Sequence, residues 1–241
     1  MMRATTFEFR YRFWIIGAIF WLGFSLAAVD SVNAAVAMAG WLAAHTALSQ
    51  RILVRLIFSL GGLLTVLAAL LRTWGTSFLG SDVMHDETVH SERLVADGPY
   101  SYVRNPLYLG TTLLTLGMGL LASRIGYAVI VIGVLIFDLR LIGREEAELS
   151  ASQGESYRLY LQRVPRFIPS LRPRVEAAGR PSRWNQALLG EGFIWGFAAA
   201  TVTFAVTLKS EYAWITLALA FVIYAWSKLT LRKQRQALTG Q

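Results

Sequence analysis

The sequence predicts an all-α membrane protein, a polytopic bundle of about seven transmembrane helices. The chain of 241 residues is 55% hydrophobic and has a mean hydropathy of +0.46. These values are high for a soluble domain and ordinary for a polytopic membrane protein. In lipid each apolar stretch must be helical, because an unpaired backbone amide finds no water there. The apolar stretches lie at 13–29, 34–48, 52–71, 106–123, 125–142, 192–208 and 212–227.

The stretches 106–123 and 125–142 predict a helical hairpin within the membrane. Each arm of 18 residues rises about 27 Å as an α-helix, close to the thickness of the hydrocarbon core. Only Arg124 separates the arms, so the chain must turn tightly and return to the same membrane face. The hairpin is therefore expected to bring the polar segments 100–108 and 140–146 together as a candidate site.

The succession of apolar and polar segments divides the chain into three parts. Residues 1–71 predict a transmembrane scaffold. Residues 72–176 predict the functional core, with a polar loop, the hairpin and a C-terminal polar segment. Residues 177–241 predict a linker and two additional transmembrane helices. The stretch 34–48 is alanine-rich, so a helix lying on the membrane surface is the alternative interpretation there.

The net charge of +8 comes largely from basic residues beside apolar stretches. Of the 23 Lys and Arg, eight lie in 144–183 and four in 228–235. This placement is typical of the positive-inside rule and of anionic headgroups, and no basic stripe with interleaved aromatics indicates nucleic acid.

The same charges predict the orientation in the membrane. The face with 72–105, 143–190 and the tail is expected in the cytosol, at the plasma membrane of a bacterium or the endoplasmic reticulum of a eukaryote. Three spans before residue 72 would put the N-terminal arginines outside. Either 34–48 does not cross, or the downstream basic residues decide the orientation.

Metal and thiol chemistry find little support in the sequence. The chain has no cysteine, which excludes disulfides, thiolate metal sites and a cysteine nucleophile. A loose acidic and histidine cluster matches no metal motif and favours a solvated loop, so no metal site is predicted. Its members are His85, Asp86, Glu87 and His90.

Polar and aromatic side chains crowd the start of the first hairpin arm. Singly, they fit an interfacial aromatic belt with a snorkelling arginine. Together, with two prolines and a glycine that fix the backbone, they favour a ligand pocket. Pro106 suits the first turn of a helix, and Asn105 suits the N-cap before it. The set comprises Tyr100, Tyr102, Arg104, Asn105 and Tyr108.

The hairpin also contains two glycines and several charges. Gly117 and Gly119 favour close helix packing, with a cofactor against the bare helix surface as the alternative. Ionisable residues in a membrane helix usually face a cavity or each other. Acids at a helix C-terminus oppose its dipole, which favours a specific cationic partner. The charges are Asp138, Arg140, Arg144, Glu145 and Glu146.

In the order of its motifs the chain resembles the isoprenylcysteine carboxyl methyltransferase and phospholipid methyltransferase family of integral-membrane enzymes. The resemblance covers approximately residues 92–170. Asn105 replaces the usual histidine of the family; its amide can bind a ligand but cannot carry a proton. The motifs are Leu94-Val95, Gly98-Pro99-Tyr100, Arg104-Asn105-Pro106, Tyr108-Leu109-Gly110, Glu145-Glu146, Gly154 to Tyr160, and Val164-Pro165.

This resemblance implies a methyltransferase that uses S-adenosylmethionine. The implied acceptor is lipid-linked or apolar, either an isoprenylcysteine carboxylate or a phospholipid amine. Arg140 would orient this acceptor, and Glu145 would share the catalytic role. The expected partners are the bilayer and the lipophilic acceptor, without nucleic acid, and a homodimer is left open. The implied cofactor-binding residues are Val95, Tyr100, Arg104, Asn105, Pro106, Leu107, Tyr108, Gly117, Gly119, Glu145 and Glu146.

Two other functional classes stay open from the sequence. A membrane sterol reductase that uses NADPH has a similar hairpin and a similar Tyr…Val-Pro ending, although a phosphorylated nicotinamide prefers basic contacts to paired glutamates. A transporter or scaffold would spread its polar residues along several spans, whereas here they gather at one face.

Overall fold

The structure, a computed structural model, describes residues 2–79 and 96–239. Within these residues it is all-helical, without a β-strand, which confirms the all-α part of the predicted fold class. Short 3-10 turns at Leu26–Ala28 and Gly98–Ser101 interrupt the connections. The helices are α1 Thr6–Arg10, α2 Arg12–Ser25, α3 Ala34–Ala43, α4 Gln50–Leu79, α5 Pro106–Gly119, α6 Arg124–Arg163, α7 Trp184–Gly190, α8 Gly192–Thr207 and α9 Ser210–Thr239.

Three helices are long and apolar enough to cross a membrane: α4, α6 and the Ser210–Leu229 part of α9. Helices α7 and α8 meet at a bend of 63° and add a fourth span if the pair is counted as one. The apolar segments Arg12–Ala28 and Ala34–Ala43 are shorter. Length and composition therefore support three or four spans in the described residues, and seven spans stay a prediction.

Helices α5 and α6 lie side by side in opposite directions. Tyr108 contacts Glu145 at the start of α5, and Gly119 approaches Tyr127 at its end. The predicted second arm, 125–142, lies within α6, which continues without a break in the chain to Arg163 and has its helical geometry interrupted at Gly154 (φ 57°). Helix α5 has only 14 residues, so a hairpin within the membrane stays a prediction.

The turn between α5 and α6 is held by a loop from the N-terminal part of the chain. The side-chain amide of Asn33 lies 3.1 Å from each of the carbonyl oxygens of Leu120, Leu121 and Ala122. The Asp30 carboxylate accepts hydrogen bonds from the guanidinium of Arg124. The scaffold thus fixes the end of the helix pair opposite Glu145.

Helix α4 packs along α5 and carries the central core of the molecule. Gly61 and Gly117 lie so close that a β-carbon on Gly117 would collide with the Gly61 carbonyl oxygen. On its other side α4 approaches α8, where Gly62 faces Val202. Small residues at helix crossings allow such close packing in lipid. The polar ends of α4, α5 and α6 are consequently neighbours.

Candidate functional site

The first element of the site is the 3-10 turn Gly98–Ser101. Gly98 adopts a positive φ of 59°, and a β-carbon there would collide with the Phe78 ring. A glycine is required by both the backbone conformation and the space. The turn buries Tyr100, whose carbonyl oxygen accepts a 2.8 Å hydrogen bond from the Tyr160 hydroxyl. The sequence motif Gly98-Pro99-Tyr100 thus forms a tight turn in which Pro99 and Tyr100 are buried.

The hydroxyl of Tyr100 is buried and has no hydrogen-bond partner among the described residues. Burial raises the pKa of this hydroxyl well above its ordinary value, and the nearby Tyr160 and Glu145 act in the same direction. The hydroxyl is therefore a neutral donor at physiological pH. A buried donor without a partner is costly, so it is a natural contact for a ligand.

The second element is the first turn of α5. Pro106 occupies the first helical position and Asn105 the N-cap, as the sequence predicts. The expected capping hydrogen bond to the Asn105 side-chain oxygen is absent, and the amide nitrogen of Asn105 donates to the Arg166 carbonyl oxygen at 3.0 Å and to Glu146 at 3.4 Å. Asn105 therefore joins the two polar segments rather than capping its own helix.

The two glutamates of α6 have different surroundings. Glu146 is paired with Arg104 and with Arg166, each at 3.2 Å. Glu145 accepts a 2.6 Å hydrogen bond from the Tyr108 hydroxyl, its one hydrogen-bond partner in the part of the chain that the structure describes. A carboxylate offers about four acceptor positions. Glu145 thus keeps acceptor capacity for a ligand, whereas Glu146 is engaged by two cations.

The chain after Gly154 returns over the first element. Tyr157, Tyr160 and Val164 form one apolar cluster with Ala96. The Pro165 carbonyl oxygen accepts a 2.9 Å hydrogen bond from the amide of Arg104. The motifs Arg104-Asn105-Pro106 and Val164-Pro165 are therefore in direct contact.

Arg140 lies apart from this cluster. Its guanidinium donates to both oxygens of Glu8, at 3.1 and 2.7 Å. Hydrogen bonds from Arg140 and from the Thr5 amide lower the pKa of Glu8 to about 2. The sequence did not single out Glu8. The acceptor-orienting role of Arg140 stays a prediction, and it would require the guanidinium to leave Glu8 or to serve both groups.

The remaining implied residues lie at several places. Leu107 and Tyr108 follow Pro106 in the first turn of α5. Gly117 faces α4 and Gly119 faces Tyr127, so both pack against helices, and contact with a cofactor stays a prediction. Val95 lies outside the described residues, as does the cluster His85, Asp86, Glu87 and His90. Within 2–79 and 96–239 no three His, Cys, Asp or Glu could together hold a metal ion.

A buried acid lies deeper between α5 and α6. Asp138 is fully buried; Thr112 donates to one of its oxygens at 3.4 Å, and the other has no partner among the described residues. Asp138 lies two turns of α6 before Glu145, so both acids project to similar sides of the helix, about 10 Å apart along its axis. The sequence indicated Asp138 only as a membrane charge.

Comparisons with known proteins bear on the segment that carries this cluster. Residues 56–153 match the family model described as phospholipid methyltransferase. The protein-S-isoprenylcysteine O-methyltransferase of Schizosaccharomyces pombe (strain 972 / ATCC 24843) is 34% identical over 102 residues, 39% of this chain and 40% of that protein. The chain thus spans well under half the length of this relative, and no solved structure gives a significant match. For the matched segment, both comparisons confirm the isoprenylcysteine carboxyl and phospholipid methyltransferase family that the motifs indicate.

Proposed function

We propose that this protein is a membrane-embedded methyltransferase that transfers a methyl group from S-adenosylmethionine to a lipid-linked or apolar acceptor. One observation carries the proposal: the hydrogen bond between Tyr108 and Glu145 joins the two motif segments at one half-buried polar cluster. The family match of residues 56–153 supports the same chemistry.

The residues of the cluster fit the charges of the proposed donor. S-adenosylmethionine carries an ammonium and a sulfonium, and the acidic side chains Glu145 and Asp138 have unused oxygens. In our proposal Glu145 holds the ammonium, and the Tyr100 hydroxyl donates to a polar atom of the donor. When bound, the donor supplies an electrophilic methyl group. The fixed Tyr108–Glu145 contact would then orient the donor rather than take part in bond making.

The apolar helices around the site provide a path along which a lipid-linked acceptor could reach it from the membrane. Helices α4 and α6 are apolar enough to cross a bilayer, so an acceptor with a lipid chain could reach the cluster from the membrane while the polar donor enters from water. A site that excludes water favours a transfer in which charge disperses. We infer that the need to take one substrate from the bilayer and the other from water explains why such a methyltransferase is embedded in the membrane.

A binding titration tests the donor. Detergent-purified protein is titrated with S-adenosylmethionine, and we expect saturable binding that Glu145→Gln weakens about tenfold to a hundredfold, because a hydrogen bond to a charged group contributes about 1.5–3 kcal/mol. Tyr108→Phe should weaken it less. The matched control is Glu155→Gln, an exposed acid on the same helix. Unchanged tight binding in both site variants would refute the site, and saturable NADPH binding instead would favour a reductase.

A transfer assay tests the acceptor. Labelled donor is supplied to membranes that contain the protein, and label in the extracted lipid fraction is the expected result.

Cysteine modification tests the orientation. Since the chain has no cysteine, Glu155→Cys provides a single site for a thiol reagent on the face that we expect in the cytosol. Modification only from the opposite side would contradict the orientation.

A further inference from the structure

The break between α7 and α8 places a charged side chain in the core. Glu191 is fully buried and lies where the two helices bend by 63°. It lies outside the segment 56–153 that matches the methyltransferase family. A buried carboxylate in a membrane protein needs a cationic or hydrogen-bonding partner.

Arg72 of α4 is that partner. Its Nε and Nη2 atoms donate to the two oxygens of Glu191 at 2.8 and 3.2 Å, and the Thr76 hydroxyl donates to the same carboxylate at 2.8 Å. Two parallel N–H···O bonds fix the plane of a guanidinium as well as its position. Glu191 therefore determines where the third nitrogen of Arg72 points.

That third nitrogen contacts the start of α5. Nη1 of Arg72 donates to the Leu107 carbonyl oxygen at 3.2 Å and to the Thr111 hydroxyl at 2.8 Å. Gly110 approaches the Arg72 side chain so closely that a β-carbon would collide with it. Leu107 immediately precedes Tyr108, which contacts Glu145. One guanidinium thus connects the break at Glu191 to the turn that carries the candidate site.

Two further contacts hold α7 and α8 on the same part of α4. The Trp195 indole donates to the Thr73 hydroxyl at 3.0 Å, and the Arg183 amide donates to the Ser77 carbonyl oxygen at 2.8 Å. These contacts flank Glu191 in sequence. The docking of α7 and α8 is therefore specific rather than a loose apolar contact.

We propose that Glu191 is a positioning residue of the donor site, acting through Arg72 on the first turn of α5. Helices α7 and α8 are then part of the functional unit and not only additional membrane anchors. This inference rests on the proposed function in that it assigns the turn at 106–108 to the donor.

The experiment separates positioning from plain stability with three variants. Glu191→Leu leaves the Arg72 charge buried without its partner and is expected to lower the unfolding temperature. The double variant Arg72→Met/Glu191→Leu removes both charges and is expected to regain stability, because an apolar pair of similar volume replaces a buried ion pair well. Thr111→Val removes one contact between Arg72 and α5 and leaves the ion pair. The control is Glu211→Gln, an exposed acid on α9.

We expect the double variant to be folded and to bind S-adenosylmethionine about tenfold more weakly than the wild type, which is the loss of about one hydrogen bond's contribution. Thr111→Val should give a smaller loss at an unchanged unfolding temperature. Wild-type affinity in a folded double variant would overturn the inference and leave Glu191 a structural residue only.

Amide hydrogen exchange gives a readout that needs no donor. If Glu191 positions the turn, exchange in the double variant rises in peptides that cover 104–112 and stays unchanged in 193–205. A uniform rise, or none, overturns the inference. If the wild type binds no S-adenosylmethionine, the proposed function fails, and the exchange pattern still decides whether Glu191 positions this turn.

Discussion

Arg140 and Glu8 form a two-point ion pair across 132 residues of sequence, with both carboxylate oxygens engaged. The pair fastens the N-terminal helix α1 to α6. The Ala4 amide adds a 2.9 Å hydrogen bond to the carbonyl oxygen of Arg140. The N-terminal segment is thus attached to the helix that carries Glu145, although it lies outside the family match.

This pair predicts a pH dependence of stability. The pKa of Glu8 is lowered to about 2, so the carboxylate stabilises the folded state above its ordinary pKa, and this contribution is lost as the pH falls through about 2. The difference in unfolding temperature between the wild type and Glu8→Gln should be full above pH 5 and should vanish near pH 2. The contribution is expected to be about 1 kcal/mol or less, because the pair is partly exposed. A difference that grows on acidification would contradict this assignment.

The close contact of Gly143 with residues 2 and 3 allows a test of how tightly the N-terminal segment packs on α6. A β-carbon at this position would lie 2.5 Å from the Met2 carbonyl oxygen, so Gly143→Ala should displace the segment and destabilise the protein by about 1–3 kcal/mol. Gly17→Ala is the matched control, since nothing lies within 4 Å of its added carbon and a helical alanine should stabilise by about 0.5–1 kcal/mol. Denaturant unfolding in detergent measures both. Equal effects of the two substitutions would argue against close docking.

Substitution of Gly98 is expected to lower both the stability of the protein and its affinity for the donor. Gly98→Ala imposes an unfavourable positive φ and a collision with Phe78, so we expect loss of stability together with weaker donor binding through the displaced Tyr100. Gly154→Ala shares the positive φ but has open space around it, and it isolates a backbone contribution of about 1–3 kcal/mol. The two variants are compared by thermal unfolding and by donor titration. Equal losses would show that the Phe78 contact contributes nothing.

Substitution of Asp138 is expected to have opposite effects on stability and on activity. An acid with an unpartnered buried oxygen destabilises the folded protein, so Asp138→Asn should raise the unfolding temperature. If the oxygen serves a ligand, the same variant should lose methyl transfer. Thr112→Val is the control, since it removes the hydroxyl partner of Asp138 and keeps the acid. An Asn variant that is more stable and fully active would show that the acid has no role in transfer.

Local features of the site follow from the sequence, and the long-range pairs do not. Proline chemistry predicts Pro106 at the start of α5, because this position depends on the residue's own backbone. The Arg72–Glu191 pair joins residues 119 positions apart, and no periodicity or motif indicates which of the many arginines pairs with which acid. The capping bond of Asn105 was not formed for a related reason: its side chain is instead held by tertiary contacts with Arg166 and Glu146.

The membrane topology was the least predictable part. Hydropathy identified apolar segments that overlap α2, α3, α4, α5, α6, α8 and α9, but it could not show that the helix in 34–48 is as short as Ala34–Ala43 or that α7 precedes α8. Helix ends depend on the contacts of the surrounding residues. Asn33 and Ser123, for example, each accept hydrogen bonds from amides of the helices that follow them.

The continuity of α6 before Gly154 has a mechanical consequence. Asp138 and Glu145 belong to one continuous stretch of helix, and Arg124 at the N-terminal end of this helix is paired with Asp30. When the tilt of this helix in the bilayer changes, the two acids must move together and keep their mutual spacing.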